Sequence, residues 1–89
     1  MIQTSTLPKL IAGNWKMNGT LAALGELDAI GAAAREHPGV EVALALPATL
    51  LAPAAARGTG LAIGGQDVHH KPSGPHTGCL SAAMLGEAG

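Results

Sequence analysis

The sequence predicts an α/β fold on a parallel sheet, and three observations carry that expectation. Three short apolar runs begin near residues 9, 41 and 61. The stretches between them have helical spacing or helix-forming composition, and Pro and Gly punctuate the joints. Strands alternating with helices in the order β-α-β-α-β are the pattern of a parallel sheet closed by right-handed crossovers. At 89 residues the chain holds one small domain rather than two, spanning residues 1–89.

The first strand is expected over residues 9–13, directly after Pro8, since proline suits the first position of a strand and not its middle. From Thr20 the spacing changes. Leu24, Leu27, Ile30 and Ala34 step by three and four and fall on one helical face, with Glu26, Arg35 and Glu36 away from it. Thr20 is the expected N-cap, its hydroxyl taking an unpaired amide of the first turn. The run His37-Pro38-Gly39 ends that helix, because proline disfavours helical geometry in the residue before it.

Residues 41–46 form the second expected strand. Apolar on both faces rather than alternating, they suit a strand covered on both sides. Pro47 stops it. Thr49 is expected to cap a short helix reaching about Arg57, with Pro53 in or beside its first turn. Gly58-Thr59-Gly60 breaks that helix, and residues 61–63 make the third strand. A polar segment over residues 64–80 follows, much longer than the usual connection of about 2–6 residues, and such length in an α/β unit usually has a use. Ser81 then opens a last helix in which Met84 and Leu85 read as packing residues.

Composition bounds the energetics and the partners. The chain is 47% hydrophobic and 12% charged, but Trp15 is its one aromatic residue among Phe, Tyr and Trp. Its core must come from Leu, Ala, Ile and Val, which bury less area per residue than aromatics, so the chain alone is expected to be marginal. Five basic and six acidic residues are spread singly, with no basic footprint for nucleic acid. Cys79 has no partner for an internal disulfide. The apolar stretch over residues 42–56 contains Pro47 and Pro53 and falls short of the roughly 20 residues needed to span a bilayer. Residues Met1 to Ser5 lack the basic start of a signal peptide, and a cytoplasmic location is the expectation.

Chemistry concentrates in Ala12-Gly13-Asn14-Trp15-Lys16-Met17-Asn18-Gly19, at the carboxyl end of the first strand, where α/β folds place ligand-binding groups. A lysine there can meet an anionic substrate, with Asn14 as a neighbouring hydrogen-bond donor. His69, His70 and His76 lack a Cys or carboxylate at ligand spacing, so no metal site is expected. Gly58-Thr59-Gly60 precedes a strand and misses the dinucleotide fingerprint by one residue, and Trp15-Lys16 lacks the glycine and Ser/Thr of a nucleotide-phosphate loop. No cofactor is expected. Asp67 reads as a loop hydrogen-bonder.

The stretch from Ala12 to Gly19 resembles the signature of the triosephosphate isomerase family. A second resemblance lies about 50 residues on, in Gly64-Gly65-Gln66-Asp67, Ser73-Gly74, Thr77-Gly78 and Ser81-Ala82-Ala83-Met84-Leu85, which look like that family's third loop and third helix. The resemblance implies the N-terminal part of a (β/α)8 TIM barrel, about three βα units of eight. It implies the interconversion of dihydroxyacetone phosphate and glyceraldehyde 3-phosphate through an enediolate. A carboxylate takes a proton beside the carbonyl while a neutral histidine polarises the oxygen; triosephosphate isomerase is itself the standard illustration of this division of labour. By the same resemblance Lys16 is the catalytic and substrate-binding cation and Asn14 binds substrate beside it. The long loop, with Gln66 at its base and Thr77 and Gly78 further along, inserts into a partner subunit of a homodimer. His76 stands where the family often has an aromatic residue, and Cys79 where it usually has an acid.

The family's catalytic histidine and glutamate are expected beyond Gly89. The alternative expectation is therefore a catalytically inactive fragment that self-associates or pairs with the rest of a split barrel, because an open three-stranded sheet exposes an edge and an apolar face. A small flavodoxin-like phosphate binder on the same alternation is the third reading.

Overall fold

A computed structural model describes residues 7–89. Met1 to Ser5, where a signal-peptide pattern is missing from the sequence, lie outside the described residues. Strand β1 (Lys9–Asn14) leads through a 3-10 turn (Leu21–Gly25) into helix α1 (Glu26–Arg35). Strand β2 (Val40–Leu46) follows, then a 3-10 turn (Ala48–Leu50) and helix α2 (Leu51–Ala56). Strand β3 (Ala62–Gly65), the long loop and helix α3 (Ala82–Ala88) complete the order.

The sheet is parallel throughout, in the order β1-β2-β3. Its register sets Gly13 beside Leu44 and Leu44 beside Ile63, and one pleat later Asn14 beside Ala45 and Ala45 beside Gly64. Side chains alternate between faces along a strand, so these are opposite sides of the sheet. On the Leu44 side the core forms: Leu44 and Leu46 join Leu24, Leu27, Leu50, Leu51 and Ala54 from the turns and helices. Trp15, Ile30, Leu61, Ile63, Leu85 and Ala88 pack around them. Leu27, Leu46 and Leu50 are the largest fully buried side chains, so of the aliphatic residues expected in the core it is leucine that fills it.

The Asn14 side is different. It carries Ala12, Asn14, Ala43, Ala45, Ala62 and Gly64, none of which joins the core or packs against it. On the edge strand β1, Leu10 on this face is 61% exposed, and Ile11 on the Leu44 face is 58% exposed. The expectation of a second strand covered on both sides therefore fails within these residues, because the helical residues of the core pack with Leu44 and Leu46 on one face. The described chain is a slab, 52 × 37 × 20 Å, with a radius of gyration of 15.2 Å, against roughly 12 Å for a compact domain of this length.

Two expected helix caps are corrected. Thr20 occupies an extended N-cap position but its side chain makes no capping bond; its carbonyl accepts the Ala23 amide at 2.9 Å instead. The reason is that the chain winds first as a tight 3-10 turn, whose bonds close over three residues. Thr49 lies inside the second 3-10 turn and caps nothing, while the Pro47 carbonyl accepts the Leu50 amide at 2.9 Å. Ser81 does cap α3, its Oγ accepting from the Met84 amide at 3.2 Å. Pro53 sits in the first turn of α2, where its missing N–H costs no helical bond. Leu85 packs on the core, whereas Met84 is 55% exposed and does not. β3 runs one to two residues later than expected, over Ala62–Gly65, and Leu61 packs on the core from just outside it.

Candidate active site

Asn14 is the last residue of β1 and lies on the face of the sheet away from the core. The chain then turns sharply, because Lys16 adopts φ 57, the one left-handed non-glycine residue among those described. That conformation places Cβ against the carbonyl and costs an L-residue roughly 1–2 kcal/mol. Local hydrogen bonds hold it. The Lys16 amide donates to Asn14 Oδ1 at 2.7 Å, and the Asn18 side-chain amide donates to the Trp15 carbonyl at 2.8 Å. The Trp15 amide donates to the Ala45 carbonyl at 3.0 Å, which extends the β1–β2 pairing one residue past the strand.

Trp15 anchors the loop from below. A Cβ on Gly19 would stand 2.9 Å from the Trp15 ring and 3.4 Å from Leu50, and Gly19 itself has φ +98. Glycine is needed there for both backbone and space. Lys16 and Asn14 are exposed in the described residues.

Gln66, the first residue after β3, reaches back to this loop. Its Nε2 donates to the Lys16 carbonyl at 2.8 Å and approaches the Ala45 carbonyl at 3.4 Å. The fold thus brings together Asn14, Lys16 and Gln66, the last of which sequence reasoning had assigned only to the base of the long loop. Nothing in the sequence joins two residues 50 positions apart; the β1-β2-β3 register does.

The long loop closes on itself. The His69 amide donates to the Leu80 carbonyl at 2.8 Å, and the Cys79 amide donates to the His76 carbonyl at 3.0 Å. Three imidazoles stack along it, His69 lying between His70 and His76 with ring centroids 4.5 and 3.9 Å away. His69 Nδ1 accepts the Lys71 amide at 3.0 Å. The His76 ring thus packs against His69. Among the described residues no group of three or more His, Cys, Asp or Glu could hold a metal ion. Asp67 Oδ1 accepts the Val68 amide at 2.8 Å, a loop hydrogen bond as expected. Thr77 and Gly78 are exposed, and Gly78 has a left-handed φ of 86. A cleft of about 340 Å³ lies under the loop, lined by Leu46, Leu51, Gln66, His69 and Cys79 among others, and neither Asn14 nor Lys16 lines it.

Parallel strands joined by helices on one face, with polar loops gathered beyond their carboxyl ends, define the class: the N-terminal part of a β/α barrel. Similarity to known proteins is specific. The triosephosphate isomerase family model matches residues 9–89, so the chain belongs to the triosephosphate isomerase family. It is 63% identical over 83 residues to the triosephosphate isomerase of Dinoroseobacter shibae, covering 91% of this chain and 33% of that one. The Caulobacter vibrioides triosephosphate isomerase is 50% identical over 93 residues, covering 100% of this chain and 37% of that protein. The crystal structure of triosephosphate isomerase from Bartonella henselae superposes with a TM-score of 0.82 at 48% identity, covering 91% of this chain and 34% of that one. The chain spans about a third of the length of the curated relatives it matches. No described helix is long and apolar enough to cross a membrane.

Proposed function

We propose that these residues form the first three βα units of a triosephosphate isomerase, an aldose–ketose isomerase that interconverts dihydroxyacetone phosphate and glyceraldehyde 3-phosphate in glycolysis and gluconeogenesis. Lys16 is the cation that meets the substrate phosphate and the developing enediolate, and Asn14 binds substrate beside it. A fixed positive charge in a dry pocket stabilises a developing oxyanion far better than water does. The proton beside the carbonyl is taken by a carboxylate and the oxygen is polarised by a neutral histidine, both supplied by the rest of the barrel. One observation carries the reading: Lys16 holds a left-handed backbone at the carboxyl end of β1, with its amide tied to Asn14. Strain of this kind collects where function needs a fixed side chain.

The long loop is proposed as the homodimer contact, through Gln66, Thr77 and Gly78, in a cytoplasmic enzyme without cofactor or metal. A second reading has its own support. Among the described residues β1 and β3 are the edge strands of the sheet, and with the exposed Leu10 and Ile11 they suit an inactive fragment that self-associates or pairs with the remainder of a split barrel.

Steady-state isomerase kinetics test both. In a complete barrel carrying this segment, Lys16→Ala is expected to lower kcat by on the order of 10²–10³-fold, while thermal unfolding stays close to the parent because the side chain is exposed. The isolated 89 residues are expected to show no turnover over a protein-free control. Near-normal kinetics in the Lys16→Ala barrel would refute the role of Lys16, and turnover by the isolated chain would refute the division of the site.

A further inference from the structure

The peptide groups of Trp15 and Lys16 are all engaged. Trp15 donates to the Ala45 carbonyl and accepts from Asn18; Lys16 donates to Asn14 and accepts from Gln66. Three of these four bonds come from side chains. Asn18 belongs to the loop itself, and Asn14 is the end of β1 from which the loop departs. Of the three side chains, Gln66 alone comes from a distant part of the chain, and it ties the loop to the end of β3.

That difference matters because of the conformation held. A left-handed residue bearing a Cβ persists only when its surroundings over-determine it. With its carbonyl unbound, the Lys16 peptide can rotate toward negative φ, which swings the Cα–Cβ bond and the ammonium at its end. The local bond from Asn14 does not oppose this, since it fixes the amide on the other side of Cα. The Gln66 carboxamide is also oriented without ambiguity: two carbonyl oxygens, of Lys16 and Ala45, converge on the same end, so that end must be the donor.

We propose that Gln66 is a positioning residue for Lys16, locking its left-handed backbone so that the side chain is presented in one direction before substrate arrives. The inference rests on the reading of Lys16 as the substrate-facing cation. It gives Gln66 a task within its own subunit, separate from any contact the long loop makes with a partner. Misplacing a catalytic group by about 1 Å costs up to about 10²-fold in rate, and that sets the scale.

A double-mutant cycle tests the coupling directly. The variants are Gln66→Met, which keeps the side-chain length and loses the donor, Lys16→Ala, and the two combined, all in a complete barrel carrying this segment. Gln66→Met is expected to lower kcat about 10- to 100-fold with the oligomeric state unchanged at assay concentration. In the Lys16→Ala background the same change is expected to cost less than about threefold, because the group being positioned is gone. An equal loss in both backgrounds, no loss with Lys16 present, or activity recovered by raising protein concentration each overturns the proposal. Should Gln66→Met fail to fold, Gln66→Glu goes through the same cycle, since it keeps the shape and exchanges the donating amide for an acceptor. The two readings fail separately. A harmless Lys16→Ala sinks the role of Lys16, whereas a crippling Lys16→Ala with an additive Gln66 variant sinks only the positioning.

Discussion

Gly31→Ala gives the sharpest contrast between local propensity and packing. Gly31 is interior to α1, and alanine in a helix interior is favoured over glycine by about 0.8–1.0 kcal/mol, so propensity alone predicts a more stable protein. The structure reverses the sign. A Cβ on Gly31 would stand 2.7 Å from the Thr59 carbonyl oxygen and 3.1 Å from Thr59 Cβ. That oxygen is backbone, and it accepts Arg35 Nη1 at 3.0 Å, so moving it disturbs a second interaction. Overpacking of this kind costs about 1–3 kcal/mol, and a weakened hydrogen bond adds about 0.5–1.5 kcal/mol. Set against the propensity gain, the net is a destabilisation of about 0.5–3.7 kcal/mol. Gly86 in α3 is the control: nothing lies within 4 Å of its built Cβ, so Gly86→Ala is expected to stabilise by up to about 1 kcal/mol. Urea unfolding of a complete barrel carrying this segment reads both. Midpoints that shift upward together would refute the packing argument.

The remaining predictions concern a cap and an ion pair. Ser81→Ala is expected to cost about 1 kcal/mol by urea unfolding, because its buried Oγ caps α3. Thr20→Ala and Thr49→Ala should leave the midpoint nearly unchanged, since neither hydroxyl caps a helix. Arg57 donates two bonds to Asp28, Nε to Oδ1 at 2.9 Å and Nη2 to Oδ2 at 2.8 Å, and that hydrogen bonding, aided by the charge of Arg57, holds the Asp28 carboxyl below its ordinary range. A carboxylate depressed in the folded state contributes stability above its unfolded pKa of about 3.9 and loses it as pH falls through the lower folded value. Asp28→Asn is therefore expected to be slightly less stable than the parent at neutral pH, with the two converging in strong acid. A gap that is unchanged or wider there would contradict the assignment.

The order of elements was legible because each has a local cause. Val, Leu and Ala crowd into β2, Leu24, Leu27 and Ile30 share a helical spacing, and Pro47 and Gly58 stop what precedes them. The caps were half legible. Ser81 lies ahead of a regular α-helical turn and acts as its residue type predicts, but Thr20 and Thr49 belong to 3-10 turns that a threonine does not announce. Asn14 and Lys16 stood out by residue type and by place after a strand, and resemblance supplied their proposed roles. The left-handed backbone of Lys16 was not legible, for lysine is not a residue that favours it. His76 was seen as a departure from a pattern, and only the folded loop places its ring against His69.

From its amino acids alone this protein acquired its β-α alternation, its aliphatic core and the loop that bears Lys16, because periodicity, turn chemistry and side-chain size act over a few neighbouring residues. The tertiary structure decided which face of the sheet takes the core, that Lys16 turns left-handed, and that Gln66 reaches its carbonyl. Those outcomes depend on the parallel register that brings the ends of β1, β2 and β3 together, a relation between segments 20 to 50 residues apart that no local pattern encodes.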